Sequence, residues 1–147
     1  MKKLLTLLAL FACVSPVFAA DKYASVDLDK VLKGYKKTEV INKSIQKQEA
    51  DIRVFINDAQ RAVVAATTDD ARKKLEDKYN KELKAKMEQL NKNKISALKG
   101  LETDVKKAID AEGKKGVYAL ILTSNNTLYG AVDISDSIIK TLNGNVK

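Results

Sequence analysis

From residue 37 to residue 112 the chain contains no proline and a single glycine, Gly100. Proline inside a helix removes a donor and clashes with the preceding turn, so its absence leaves a continuous helical path open over the whole stretch. A charged residue falls on nearly every turn, and the apolar residues recur at alternating steps of four and three. That period of 3.5 marks a coiled-coil seam and not a globular core. The pattern stops at Thr67-Thr68-Asp69-Asp70. Thr67 and Asp70 have capping-box-like spacing, and paired Asp residues suit a helix N-terminus. The spacing therefore predicts two long helices folded back on each other, with the tip near 67–70.

The outgoing helix is predicted to open at Thr38-Glu39 and to carry Ile41, Ile45, Gln48, Ile52, Phe55, Ala59, Ala62 and Ala66 along its seam. The return helix, about 44 residues or roughly 65 Å at 1.5 Å per residue, carries Leu75, Tyr79, Leu83, Met87, Leu90, Lys94, Ala97, Leu101, Val105 and Ala108. Its outer face offers Asp77–Lys81, Glu82–Lys86, Glu88–Lys92 and Glu102–Lys106 as i,i+4 pairs of the favoured acid-to-base order. Gly113 is placed to end it. The seam is poor for a zipper. Gln48, Lys94 and several alanines sit where large aliphatic residues would hold two helices together, which predicts a mobile arm.

Short strand-like pieces bracket the arm. Residues 23–26 precede a brief helix over 28–32, capped by Asp27 and ended by Gly34. Residues 117–122 form a continuous apolar run, Ser124-Asn125-Asn126-Thr127 reads as a turn, and 128–132 returns as a second strand of a hairpin. Asp133 caps a final helix over 134–142. The expected fold is α+β, mainly α: a three-stranded body built from 20–36 and 113–147, with the helical arm of 37–112 leaving and rejoining it. Three strands and two short helices make a marginal core. Association of several such bodies would supply what one lacks.

Residues 1–19 read as an export signal. Lys2 and Lys3 form the basic end, 4–12 the apolar run, and Val17 and Ala19 the small-residue processing positions. Leu10-Phe11-Ala12-Cys13 offers the alternative of a lipoprotein box with Cys13 as the lipidated residue, but Phe11 is bulky for that role. Loss of Lys2 and Lys3 takes the formal charge from +8 to +6. Such a charge favours acidic surfaces, including anionic lipid or lipopolysaccharide. Ordinary cleavage after Ala19 would also remove the only Cys and the only Pro, which would exclude disulfides and thiolate chemistry.

Catalytic chemistry finds little to stand on. The chain has no His, and no glycine-rich phosphate loop of the GxGxxG or GxxxxGK[ST] type. Gly113-Lys114-Lys115-Gly116 lies between a helix end and a strand start, the wrong order for a phosphate loop. Asp69 with Asp70, and Asp133 with Asp136, are explained by capping. Lys residues alternate with acids along the arm, which weakens any field for nucleic acid. No enzyme activity, cofactor, metal or nucleic-acid partner is expected.

The order of signal, strand, short helix, long charged hairpin, β-hairpin and terminal helix resembles the Skp/OmpH-like periplasmic chaperones of Gram-negative bacteria. The matching segments are Tyr23-Ala24-Ser25-Val26-Asp27-Leu28, Val117-Tyr118-Ala119-Leu120-Ile121-Leu122 and Val132-Asp133-Ile134-Ser135-Asp136-Ser137-Ile138-Ile139-Lys140. The resemblance implies a jellyfish-like homotrimer whose arms enclose unfolded outer-membrane proteins in the periplasm, without ATP or cofactor. Under that implication, Ile52, Phe55, Ile56, Met87 and Leu90 are the candidate client-binding residues. Val26, Val117, Ala119, Leu120, Ile121, Leu122, Ile134 and Ile138 are the candidates for the trimer body. The residues themselves leave open a structural coiled-coil protein of the envelope, lipid-anchored through Cys13.

Overall fold

The computed structural model of the protein describes residues 21–144. The export segment and Cys13 lie outside the described residues. Strand β1, Lys22–Val26, leads into helix α1, Leu28–Gly34. Asp27 starts α1 by accepting the Lys30 N–H at 2.9 Å, the cap expected from sequence. Tyr35 alone separates α1 from α2, Lys36–Ala65. The break is bridged from the far end of the chain. Asn143 accepts the Lys36 N–H at 3.0 Å and donates to the Gly34 carbonyl at 2.9 Å, so two terminal backbone groups are satisfied by one side chain. With that partner available, α2 opens at Lys36, ahead of Thr38.

Helix α2 has 30 residues and α3, Asp69–Gly116, has 48, or about 45 Å and 72 Å at 1.5 Å per residue. The tip falls where expected, with a shift of one residue in its cap: Thr68 and not Thr67 accepts the Ala71 N–H, at 3.2 Å. At its other end α3 runs through Gly113, the expected stop. Helix-favouring Lys114 and Lys115 carry it on, and the turn comes at Val117 in the left-handed region, φ 52 and ψ 49. The Tyr118 ring lies where a Cβ on residue 116 would stand, so this close approach requires Gly116.

Strand β2, Tyr118–Thr123, is followed by a single 3-10 turn over Ser124–Asn126, then β3, Val132–Asp133, and α4, Ser135–Gly144. The sheet order is β2-β1-β3, with both outer strands parallel to β1. The expected hairpin therefore does not form. Parallel neighbours need a crossover, and the crossover from β1 to β2 is the helical arm itself. From β2 the chain passes to the opposite edge of β1, turning at Gly130 with φ +88. Leu128 and Tyr129, expected in a strand, lie fully exposed in this link. Asp133 takes the Ser135 N–H at 2.9 Å and so caps the N-terminal end of α4.

The core gathers Ala24 and Val26 of β1, Val31 of α1, Tyr35, the root of α3 at Leu101, Val105 and Ala108, and Ile134, Ile138 and Leu142 beside and within α4. Two polar clusters fasten it. Glu112 is buried and accepts from Ser137 Oγ at 2.5 Å and Thr141 Oγ1 at 2.7 Å, which ties α3 to α4. The Ser137 hydroxyl, then that of Thr141, hold its carboxyl below the usual glutamate range. Asp104 accepts from Lys37 Nζ at 2.7 Å and from the Tyr35 hydroxyl at 3.0 Å, and the Lys37 bond lowers its pKa. The opposite sheet face has no such cover. Tyr23, Leu120 and Leu122 alternate onto it and are exposed.

Candidate functional site

The hairpin changes character along its length. At the root, Leu101, Val105 and Ala108 are buried in the core, with Ile41 packed beside them. Next comes a polar layer. Asn93 donates to Gln48 Oε1 at 2.6 Å and accepts from Gln89 at 2.8 Å, while Lys94 bonds Glu49 at 2.7 Å. The Lys94 ammonium holds the Glu49 carboxyl below its ordinary pKa. Ile52 and Leu90 are then the last buried residues of the two helices toward the tip. Between residues 53 and 89 no residue of either helix is buried.

Where packing ends, a groove begins. Phe55, Ile56, Ala59, Gln60, Val63 and Val64 of α2 face Glu76, Tyr79, Asn80 and Leu83 of α3 around a cavity of about 530 Å³. Its floor is an edge-to-face aromatic pair, Phe55 and Tyr79, with centroids 5.8 Å apart at 74°. The cause lies in the sequence: small Ala59 occupies a seam position here, and a small side chain leaves volume that neighbours on a stiff helix cannot fill. Lys86 lies over the Phe55 ring, 5.0 Å from its centroid, and Lys78 over Tyr79 at 5.6 Å.

None of the four i,i+4 pairs expected on the outer face of α3 closes to 4.0 Å among the described residues. The pairs that form are others, Glu39–Lys43 at 2.6 Å and Asp70–Lys74 at 2.7 Å among them. Exposed lysines gain little from one fixed geometry, and Lys86 instead covers an aromatic ring.

The candidate client-binding residues therefore divide into three settings. Ile52 and Leu90 are buried against each other's helices and hold the arm shut. Phe55 and Ile56, adjacent in sequence, both line the groove half-buried. Met87 is 52% exposed and lies outside the groove. Ala59, Val63, Val64, Tyr79 and Leu83 complete the groove. Tyr79, Leu83 and Ala59 were visible as seam positions, but nothing in the periodicity marked the gap between them. Among the body candidates, Val26, Ile134 and Ile138 are enclosed in the chain's own core, and Ile121 is packed against it. Val117, Ala119, Leu120 and Leu122 face solvent.

Among the described residues no group of three or more His, Cys, Asp or Glu side chains is arranged to hold a metal ion. No described helix is long and apolar enough to cross a membrane. No family model and no curated protein matches the chain. Among solved structures, it is similar to a protein of Caulobacter crescentus CB15 described as OmpH-like, with 9% identity, a TM-score of 0.44 and 88% of each chain covered.

Proposed function

We propose that this protein is an ATP-independent holdase of the periplasm, which binds unfolded outer-membrane proteins among its helical arms and keeps them from aggregating. The observation that carries this reading is the distal arm: residues 53–89 form two continuous helices without one buried side chain. Such a segment adds no core to its own chain. It does present apolar and aromatic side chains, in reach of lysines, on a long support anchored at one end. Many weak contacts of this kind hold an unfolded chain and release it when a better partner captures it, with no energy source.

In this reading three chains associate through the body, and the uncovered sheet face is what favours association. Parallel sheets are ordinarily covered on both faces, yet Tyr23, Leu120 and Leu122 lie open on one face here, with Val117, Leu128 and Tyr129 also exposed. Covering this surface by copies of the same chain would bring several arms together around one space. The net positive charge adds long-range attraction for acidic clients and anionic membrane surfaces.

The test is direct. Dilution of an unfolded outer-membrane β-barrel from urea, without nucleotide, should give less light scattering as the purified protein is added. Multi-angle scattering of the protein alone should give the mass of three chains. Undiminished aggregation at stoichiometric excess would contradict the holdase. A monomer would contradict the assembled body.

A further inference from the structure

We propose that the distal groove recognises one pattern in an extended polypeptide: an apolar residue flanked, two positions away on each side, by an acidic residue and a basic residue, in either order. This rests on the holdase reading and names the client feature the groove takes. Opposite charges stand toward the two ends of the groove. Glu76 lines the groove toward the tip, and Lys86 stands over Phe55 at the end nearer the body. Neither makes an ion pair within 4.0 Å among the described residues, although Asp51 shares the adjoining dimple with Lys86. Both are on α3, ten residues apart, or about 15 Å along the axis. The lining between them is mainly apolar, with Gln60 and Asn80 as its polar members, the Phe55–Tyr79 pair edge-to-face, and Lys78 over Tyr79 at 5.6 Å.

An extended segment advances about 3.3 Å per residue, so positions i and i+4 are about 13 Å apart and i, i+2 and i+4 share one face. A carboxylate at one end then meets Lys86, a cation at the other meets Glu76, and the middle side chain enters the groove. A helix spans a similar length only with residues i, i+4 and i+8, about 12 Å end to end, so the i, i+2, i+4 spacing is particular to an extended segment. The cavity of about 530 Å³ admits one large side chain with room to spare, within the usual range of about 300–1,000 Å³ for ligand pockets. An incoming phenyl ring can join the aromatic pair edge-to-face.

The experiment uses the processed full-length protein and two fluorescein-labelled peptides of one composition. One carries Asp-Ser-Phe-Ser-Lys between Gly-Ser flanks. The other moves the Asp and Lys to the positions adjoining Phe, which puts them on the opposite face. Fluorescence anisotropy should show the first binding about tenfold more tightly. Ala59→Phe, which fills the groove, should remove the preference with helix content unchanged by circular dichroism. Lys86→Glu, which reverses the charge beside Phe55, should shift binding toward a Lys-Ser-Phe-Ser-Lys peptide. Equal binding of the two isomers, or a Lys86→Glu protein with unaltered preference, overturns the assignment. So does an Ala59→Phe protein of lower oligomeric mass that still discriminates the peptides, since the groove would then be a contact between copies. If the wild type slows β-barrel aggregation but ignores the peptide pattern, this inference fails and the holdase reading stands. If it discriminates the peptides but does not slow aggregation, the reverse holds.

Discussion

At Leu101, Val105 and Ala108, helix α3 meets the body of the protein. At Tyr79, Leu83 and Met87 the same unbroken helix meets α2 alone, or solvent. The local backbone is alike in both places, and so is the density of charge. What differs is the number of elements available to bury a side chain. At the root, the sheet, α1 and α4 surround the helix, and Glu112 and Asp104 fasten it with hydrogen bonds from Ser137, Thr141, Tyr35 and Lys37. In the distal arm only two helices face each other, and small Ala59 leaves volume between them. Helical propensity and tertiary stability are thus separated along one element. This separation predicts that the arm opens at lower cost than the root.

The largest effect should expose this contrast. Ile138 is completely buried, and Ile138→Ala should cost about 3–4 kcal/mol in urea unfolding. Leu83→Ala in the groove should cost about 1 kcal/mol or less, because its surroundings are already open. Comparable losses at the two sites would break the comparison.

Glu112 comes next. Glu112→Ala leaves Ser137 and Thr141 without their acceptor and should cost about 2 kcal/mol. Its folded pKa is lowered, so the carboxylate binds protons less readily in the native state than in the unfolded one. The stability it contributes is fully present above the ordinary glutamate value of about 4.3 and is lost as pH falls through the depressed one. Asp104 acts in the same direction. Urea titrations at successive pH values should show stability declining into the acid range, with a shallower decline in Glu112→Gln.

A smaller gain is expected at the junction of α3 and β2. Val117 is a β-branched residue held in the left-handed region, and Val117→Gly should relieve about 1 kcal/mol of strain in the isolated fold. Its thermal midpoint should rise by a few degrees. The border between root and arm is the subtlest case. Asn93→Leu alone strands Gln48 and should lower stability by about 1 kcal/mol, whereas Gln48→Leu with Asn93→Leu should be near neutral. A double-mutant cycle by thermal unfolding would show that coupling, and strict additivity would remove the polar layer as a boundary.

Much of this contrast was legible in the sequence, because its parts are local. Absence of proline and a period of 3.5 gave the two helices, Thr67-Thr68-Asp69-Asp70 gave the tip, and Asp27 gave the first cap. Gln48 and Lys94 read as weak points of the seam, yet each bonds across it, to Asn93 and Glu49, and the unpacked stretch lies beyond them toward the tip. The failures depended on distant partners. Helix α2 begins at Lys36 because Asn143, from the other end of the chain, completes its first turn. The hairpin expected after residue 117 is replaced by two strands on opposite edges of β1, a choice set by where the arm re-enters the sheet. The groove was hidden for a similar reason: Ala59 and Tyr79 each fit the seam, and only their alignment across the two helices reveals the space between them.

Hydrogen–deuterium exchange, read by mass spectrometry with and without an unfolded outer-membrane β-barrel, tests the central claim most directly. In the free protein, amides of 53–89 should exchange well before those of 101–112, and added client should protect 53–89 while leaving 101–112 unchanged. Equal protection of arm and root in the free protein, or client-induced protection confined to the body, would contradict the account.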